Sequence, residues 1–173
     1  MIPDTELAAS ACIALEPSGR IAVDGALRSV SHPEVYVAGD AAAAGPPRAG
    51  TLRMACATAL PTGSHAASSI IYGFRGREPR PLDFRRLPQC VSLGRTTALV
   101  QFVRADDRPH DRFLKGGSAA RTKERIVRSA LRLLCRASRR PWSVPLTPGM
   151  SRAGGRAGAP LDGSFSPGAL FIA

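Results

Sequence analysis

Acidic residues are scarce in this chain. Asp and Glu together number 13 against 24 Lys and Arg in 173 residues, a formal net charge of +11. That imbalance directs attention to anionic partners: phosphates, nucleic acid or the surface of an acidic membrane. Aromatic residues are also few, at 5%. None is interleaved with the arginine-rich stretch, which counts against stacking on single-stranded nucleic acid. Cysteine is sparse and scattered, at Cys12, Cys56, Cys90 and Cys135, and the histidines do not cluster. With no CxxC pair the spacing provides neither a metal site nor a redox dithiol, so the expectation is four unremarkable or buried thiols in a reducing compartment. No apolar run approaches the ~18 residues of a membrane span, and no basic-plus-apolar leader opens the chain. A soluble or peripheral protein of the cytoplasm is expected.

What is present reads as two structured regions and a tail. Residues 2–15, "IPDTELAASACIAL", suggest a short helix followed by an extended piece. "PSGRIAVD" reads as a turn and a strand, with Ile21 and Val23 alternating. "SHPEVYVAGD" repeats that plan: Pro33 forces an extended approach, and Val35, Tyr36 and Val37 supply β-branched and aromatic bulk. A loop of small residues follows. A helix is predicted from about Pro61, which suits a first helical turn, with a narrow face of Ala59, Ala66, Ala67, Ile70 and Ile71 and an end at Gly73 and Gly76. Proline and arginine in "REPRPLDFRRLP" mark a boundary. Beyond it, Cys90–Leu93 and Ala98–Val103 read as a hairpin turning at Gly94-Arg95, and "ADDRPHDRFLKGGS" as a polar loop.

Residues 120–139 carry the strongest helical periodicity. Ile126, Val127, Ala130, Leu131, Leu133 and Leu134 form one stripe, and Arg125, Arg128, Arg132, Arg136 and Arg139 form another. After Pro141 the composition is glycine, proline, serine and alanine until "ALFIA", which predicts a mostly disordered tail. The expected division is therefore 1–78, 79–142 and a tail over 143–173.

"GRIAVDGALRSVSHPEVYVAGDAAAA" followed by "LRMACATALPTGSHAASSI" resembles the C-terminal half of the FAD-binding domain in pyridine-nucleotide flavoprotein oxidoreductases. The later "PLDFRRLPQCVSLGRTTALVQFV" is most similar to the type II NADH dehydrogenase-like branch. The resemblance runs from about Ile2 to Trp142, and "VYVAGDAA" is its most specific element. The implied fold class is α/β: a partial Rossmann-like FAD/NAD(P)-binding domain followed by a small α+β region. Asp40 would then anchor the ribityl chain, with Gly39 giving the ligand access to the backbone. Both fit the chemistry, because glycine removes a Cβ clash and a carboxylate at a strand end can accept from sugar hydroxyls. The resemblance further implies that the helix after "LPTG" directs its N-terminus at the flavin ring through Leu60, Thr62 and Gly63. A simple turn at Gly39-Asp40 and a simple helix cap at Thr62 are the structural alternatives. His65 is expected to be packed or solvent-facing rather than catalytic, having no carboxylate partner in the sequence.

In that family the complete enzyme passes hydride from NAD(P)H to FAD and electrons onward to an acceptor such as quinone. A pyrophosphate cradle needs a strand-turn-helix with a G-x-G-x-x-G-like loop, and no such spacing of glycines occurs here. The resemblance thus implies a truncated, C-terminal portion that is inactive alone. The arginine-lined helix has three readings: an apolar stripe packed on the hairpin with a solvated basic face; peripheral attachment to an anionic membrane through Arg125, Arg128, Arg132 and Arg136; or, as the weakest, nucleic-acid binding. Attachment would place the protein on the inner membrane face. A non-catalytic basic binding protein and a degenerate gene fragment are the rival readings of the whole.

Overall fold

The structure is a computed structural model that describes residues 2–45, 50–83, 88–104, 108–139 and 170–172. The fold is mixed α/β. Two compact units divide the chain, one within Met1–Phe84 together with the C-terminal strand, the other within Arg85–Pro145.

The first unit opens with α1 (Glu6–Ser10) and then crosses itself in short, irregular antiparallel steps. Single bridges join Leu15 to Ile21, Val23 to Ser29 and Arg28 to Tyr36, so "RIAVD" contributes isolated bridges rather than a continuous strand. The turn between Val23 and Ser29 is organised by Asp24. Its Oδ1 accepts the amides of Ala26 and Arg28, each at 2.9 Å, and its Oδ2 receives Arg28 Nε at 2.8 Å. Strand β1 (Val35–Val37) follows, all three residues buried. A strand covered on both faces is what an uninterrupted apolar run produces.

The parallel pairing of β1 is with β5 (Leu170–Ile172), in the register Val35 to Leu170, Tyr36 to Phe171 and Val37 to Ile172. Ile21 adds one parallel bridge to Ala42. No parallel Rossmann sheet forms among the described residues. The tail expected to be disordered lies outside the described residues except at β5, where the apolar "LFI" is extended and paired.

Helix α2 spans Cys56–Phe74, starting five residues before the expected Pro61, which sits inside it. The early start follows from composition: "CATAL" is rich in alanine and leucine, good helix formers. Proline in the second turn gives up only the one bond that would have gone to the Ala57 carbonyl. The end agrees with expectation. Arg77 N–H bonds Tyr72 O and Gly76 N–H bonds Gly73 O, both at 3.0 Å, the paired closure of a Schellman end. The buried face differs from the alanine-isoleucine stripe: it is Thr58, Thr62, His65, Ala66, Ser68 and Ser69, while Ala67 and Ile71 are exposed. Threonine and serine can line a helix interface when their hydroxyls return to carbonyls one turn back, as Ser68 Oγ does to Ser64 O at 2.9 Å. The core of this unit is accordingly fine-grained. Ile13, Ile21, Leu27, Val35, Val37, Leu52 and Leu82 are packed among alanines.

The second unit is a three-stranded antiparallel sheet in the order β2-β3-β4 with one helix. β2 (Gln89–Ser92) and β3 (Ala98–Val103) form the expected hairpin, with Cys90 opposite Val100. The segment expected as a polar loop instead contributes β4 (Pro109–Lys115), every residue of it exposed. Its sequence has no apolar alternation, and its pairing with β3 is what makes it a strand. Helix α3 (Gly116–Arg139) follows β4 directly. Ala98, Val100 and Ala119 form its small core with Cys90 and Ala120 against them. The rest of the apolar stripe is not packed on the hairpin: Val127, Leu131 and Leu134 are 53%, 60% and 50% exposed.

Candidate functional site

The C-terminal end of β1 runs into a single 3-10 turn, Gly39–Ala41, and that turn packs against the first half of α2. Gly39 has φ +71, a left-handed conformation that a side chain would strain. Its amide donates to Thr62 Oγ1 at 3.0 Å. The Thr62 hydroxyl lies 3.0 Å from both the Thr58 and Ala59 carbonyls. Thr62, buried at 2% exposure, is therefore a clamp between the turn and the helix interior rather than a helix cap.

Asp40 reaches the true start of α2. Its Oδ1 accepts the amide of Ala55, the N-cap residue, at 2.9 Å. A carboxylate here offsets the positive end of the helix and satisfies one of its orphan donors. Oδ2 has no hydrogen-bond partner among the described residues, and Asp40 is only half-buried. The next two amides, of Cys56 and Ala57, likewise have none among the described residues, whereas the amides of Thr58 and Ala59 already bond Ala55 O at 3.0 and 2.9 Å. The first turn is held by Thr58, whose Oγ1 bonds Arg53 O at 2.8 Å and Ala55 O at 2.7 Å.

Of the residues singled out in the sequence, the structure thus brings Gly39, Asp40 and Thr62 together. Leu60 and Gly63 are half-buried in the second turn, inside the helix. Because α2 starts at Cys56, the amides of Thr62 and Gly63 are not a helix end. That position belongs to Cys56 and Ala57, which sequence reasoning passed over. The available signal was the run of helix-forming residues before Pro61, outweighed by the preference of proline for a first turn.

His65 is 5% exposed, and its Nε2 lies 3.3 Å from the Gly25 carbonyl. A carbonyl can only accept, so Nε2 carries the proton and donates. Burial pushes the imidazole below its ordinary value, opposed in part by bonds to the Gly25 and Arg80 carbonyls. It is a core histidine that ties α2 to the Asp24 turn.

Of the four cysteines, Cys12, Cys56 and Cys135 are exposed rather than buried, and Cys90 is half-buried. No group of three or more His, Cys, Asp or Glu stands together among the described residues. No helix among them is long and apolar enough to cross a membrane. No protein-family model matches the chain, and no curated protein matches it in sequence.

Proposed function

We propose that this chain supplies the ribityl side of a flavin site, as the C-terminal portion of an FAD-dependent NAD(P)H oxidoreductase of Rossmann-like descent. The reading rests on one observation above the others. Asp40, carried on a glycine of positive φ at the end of a buried strand, has one carboxylate oxygen without a partner among the described residues, at the helix start where the amides of Cys56 and Ala57 also have none among them. Residue types and geometry fit a polyol attached to an anion: Oδ2 accepts from a sugar hydroxyl, and the amides at the helix start donate to negative charge. Gly39 keeps the turn free of a Cβ. When bound, the flavin would supply the hydride chemistry, taking it from NAD(P)H and passing electrons to an acceptor such as quinone. Thr62 holds Gly39 in place, and Leu60 and Gly63 continue the same helix.

The sequence contains no G-x-G-x-x-G loop to hold a pyrophosphate, so the adenylate half of FAD gains little from this chain. Titration of the protein into riboflavin and into FAD, followed by flavin fluorescence, is expected to show weak saturable binding of both, with affinities within a few-fold of one another. Asp40→Asn should weaken both about tenfold, since a hydrogen bond to a charged group contributes ~1.5–3 kcal/mol. A chain indifferent to both flavins would sink the reading.

A second reading, surface attachment through α3, is favoured by a separate observation. The exposed stripe of Val127, Leu131 and Leu134 is flanked by Arg125, Arg128, Arg132 and Arg136 on a helix whose only acid is Glu124. Basic residues beside exposed leucines suit an anionic lipid interface. Sedimentation with anionic vesicles should fall steeply as salt rises from ~0.05 to ~0.5 M if charge drives attachment; binding to neutral vesicles of equal strength would refute it.

A further inference from the structure

The second unit contains a notch of about 430 Å³ between the β2–β3 turn and the first half of α3, lined by Ser92, Gly94, Arg95, Lys123, Glu124 and Val127 among others. Its volume falls within the ~300–1,000 Å³ of small-molecule sites. The charges in it are not balanced. Glu124 supplies the one carboxylate, and that is taken by Arg128, whose Nε approaches Glu124 Oε1 at 2.6 Å. Lys123 and Arg95 line the same notch and form no ion pair with an acid among the described residues.

Lys123 is held in position. Its Nζ donates to Ser92 Oγ at 2.6 Å, bridging helix and strand. One ammonium proton is used there, so two remain for a ligand, and the Ser92 hydroxyl, accepting from Lys123, is left to donate its own proton. The turn adds to these. Leu93 N–H closes it on Thr97 O at 2.8 Å, while the amides of Gly94 and Arg95 have no partner among the described residues. Gly94 has φ +95 and open space where a Cβ would be.

We propose that this notch binds a phosphate group. Ammonium, hydroxyl and guanidinium donors converge from the helix, the strand and the turn. A tetrahedral oxyanion can accept from several directions at once, whereas a planar carboxylate would use the guanidinium fork and leave the others unmet. The phosphate has two possible sources, a soluble phosphomonoester or a lipid headgroup. Val127 belongs both to the notch and to the exposed stripe that continues through Leu131 and Leu134, so an acyl chain would have an apolar track leading away from the headgroup. The site is independent of the flavin reading, since it involves only the second unit.

The test is calorimetric titration of the full chain at about 0.15 M salt, where charges more than ~8 Å apart are largely screened. The probes are inorganic phosphate and glycerol 3-phosphate, with vesicles of neutral lipid containing phosphatidic acid in parallel, and oleate vesicles of matched charge as the control. Saturable binding should drop at least tenfold in Lys123→Gln and in Arg95→Gln, the latter an exposed turn residue whose loss leaves the fold intact by circular dichroism. It should change less than twofold in Arg77→Gln, which removes the same charge from an exposed position of the first unit. Phosphatidic acid vesicles that bind far more tightly than glycerol 3-phosphate, and lose that margin in Lys123→Gln, identify a lipid headgroup. Equal affinities identify a soluble phosphate. The proposal is overturned if Arg77→Gln weakens binding as much as Lys123→Gln, if oleate vesicles bind as well as phosphatidic acid vesicles, or if no phosphate probe binds.

Discussion

Asp40 acts on a helix to which it does not belong. By accepting the Ala55 amide it caps α2 across a gap of fourteen intervening residues in sequence, fixing where the small-residue loop must return. Removing the acceptor should therefore cost stability as well as any ligand. Asp40→Ala is expected to lower unfolding free energy by ~1–2 kcal/mol, the usual penalty for losing a helix cap. Asp40→Asn, which keeps an oxygen acceptor, should cost less than half of that in chemical denaturation. The two variants separate the scaffold role from the flavin role, since flavin affinity is expected to fall in both. His65 provides a second handle at this scale. Burial depresses its folded-state pKa below the ordinary value of 6.5, so the folded protein binds fewer protons here than the unfolded chain. The associated stability is complete above the unfolded value and is lost as pH falls through it toward the depressed folded value. Thermal melts from about pH 8 to about pH 5 should show a decline that His65→Gln, which keeps a donor for Gly25 but does not titrate, largely removes.

At the scale of elements, the legible parts of the fold were those whose own residues determine them. β1 was readable because Val35, Tyr36 and Val37 are apolar in sequence and buried in space. The end of α2 was readable because Gly73 and Gly76 carry the local chemistry of a helix stop. β4 was not, because "PHDRFLK" becomes a strand through its partner β3 rather than through any pattern it holds. The start of α2 was misread for a related reason. Pro61 is a strong local signal, yet the helix begins where Asp40, distant in sequence, satisfies it. Gly39 and Asp40 stand out in the sequence as candidates, whereas the amides of Cys56 and Ala57 do not, since backbone groups acquire importance only from their position. Pro61 also makes α2 improvable. Pro61→Ala restores a donor for the Ala57 carbonyl and should raise the melting temperature, with a gain on the order of 1 kcal/mol in a helix whose first turn is otherwise well tied.

For the whole molecule, charge and covering are unevenly distributed. The first unit packs a core of Ile13, Ile21, Leu27, Val35 and Val37 among alanines, while the second leaves most of the α3 stripe facing outward beside a row of arginines. Self-association through that stripe would bring like charges together, which argues for an anionic partner over a second copy of the helix. Light scattering at low salt is expected to show no concentration-dependent dimer that Leu131→Glu abolishes. The two-unit division also has a consequence for how the chain comes to be folded. β1 precedes β5 in the chain, with the entire second unit between them. A parallel pair closing so long a stretch is a slow, non-local event, and during synthesis it waits until the second unit has emerged. The edge of β1 therefore stands open while the second unit is being made. Refolding should show a late phase that disappears when residues 170–173 are deleted, while the β2-β3-β4 hairpins and α3 form at their former rate.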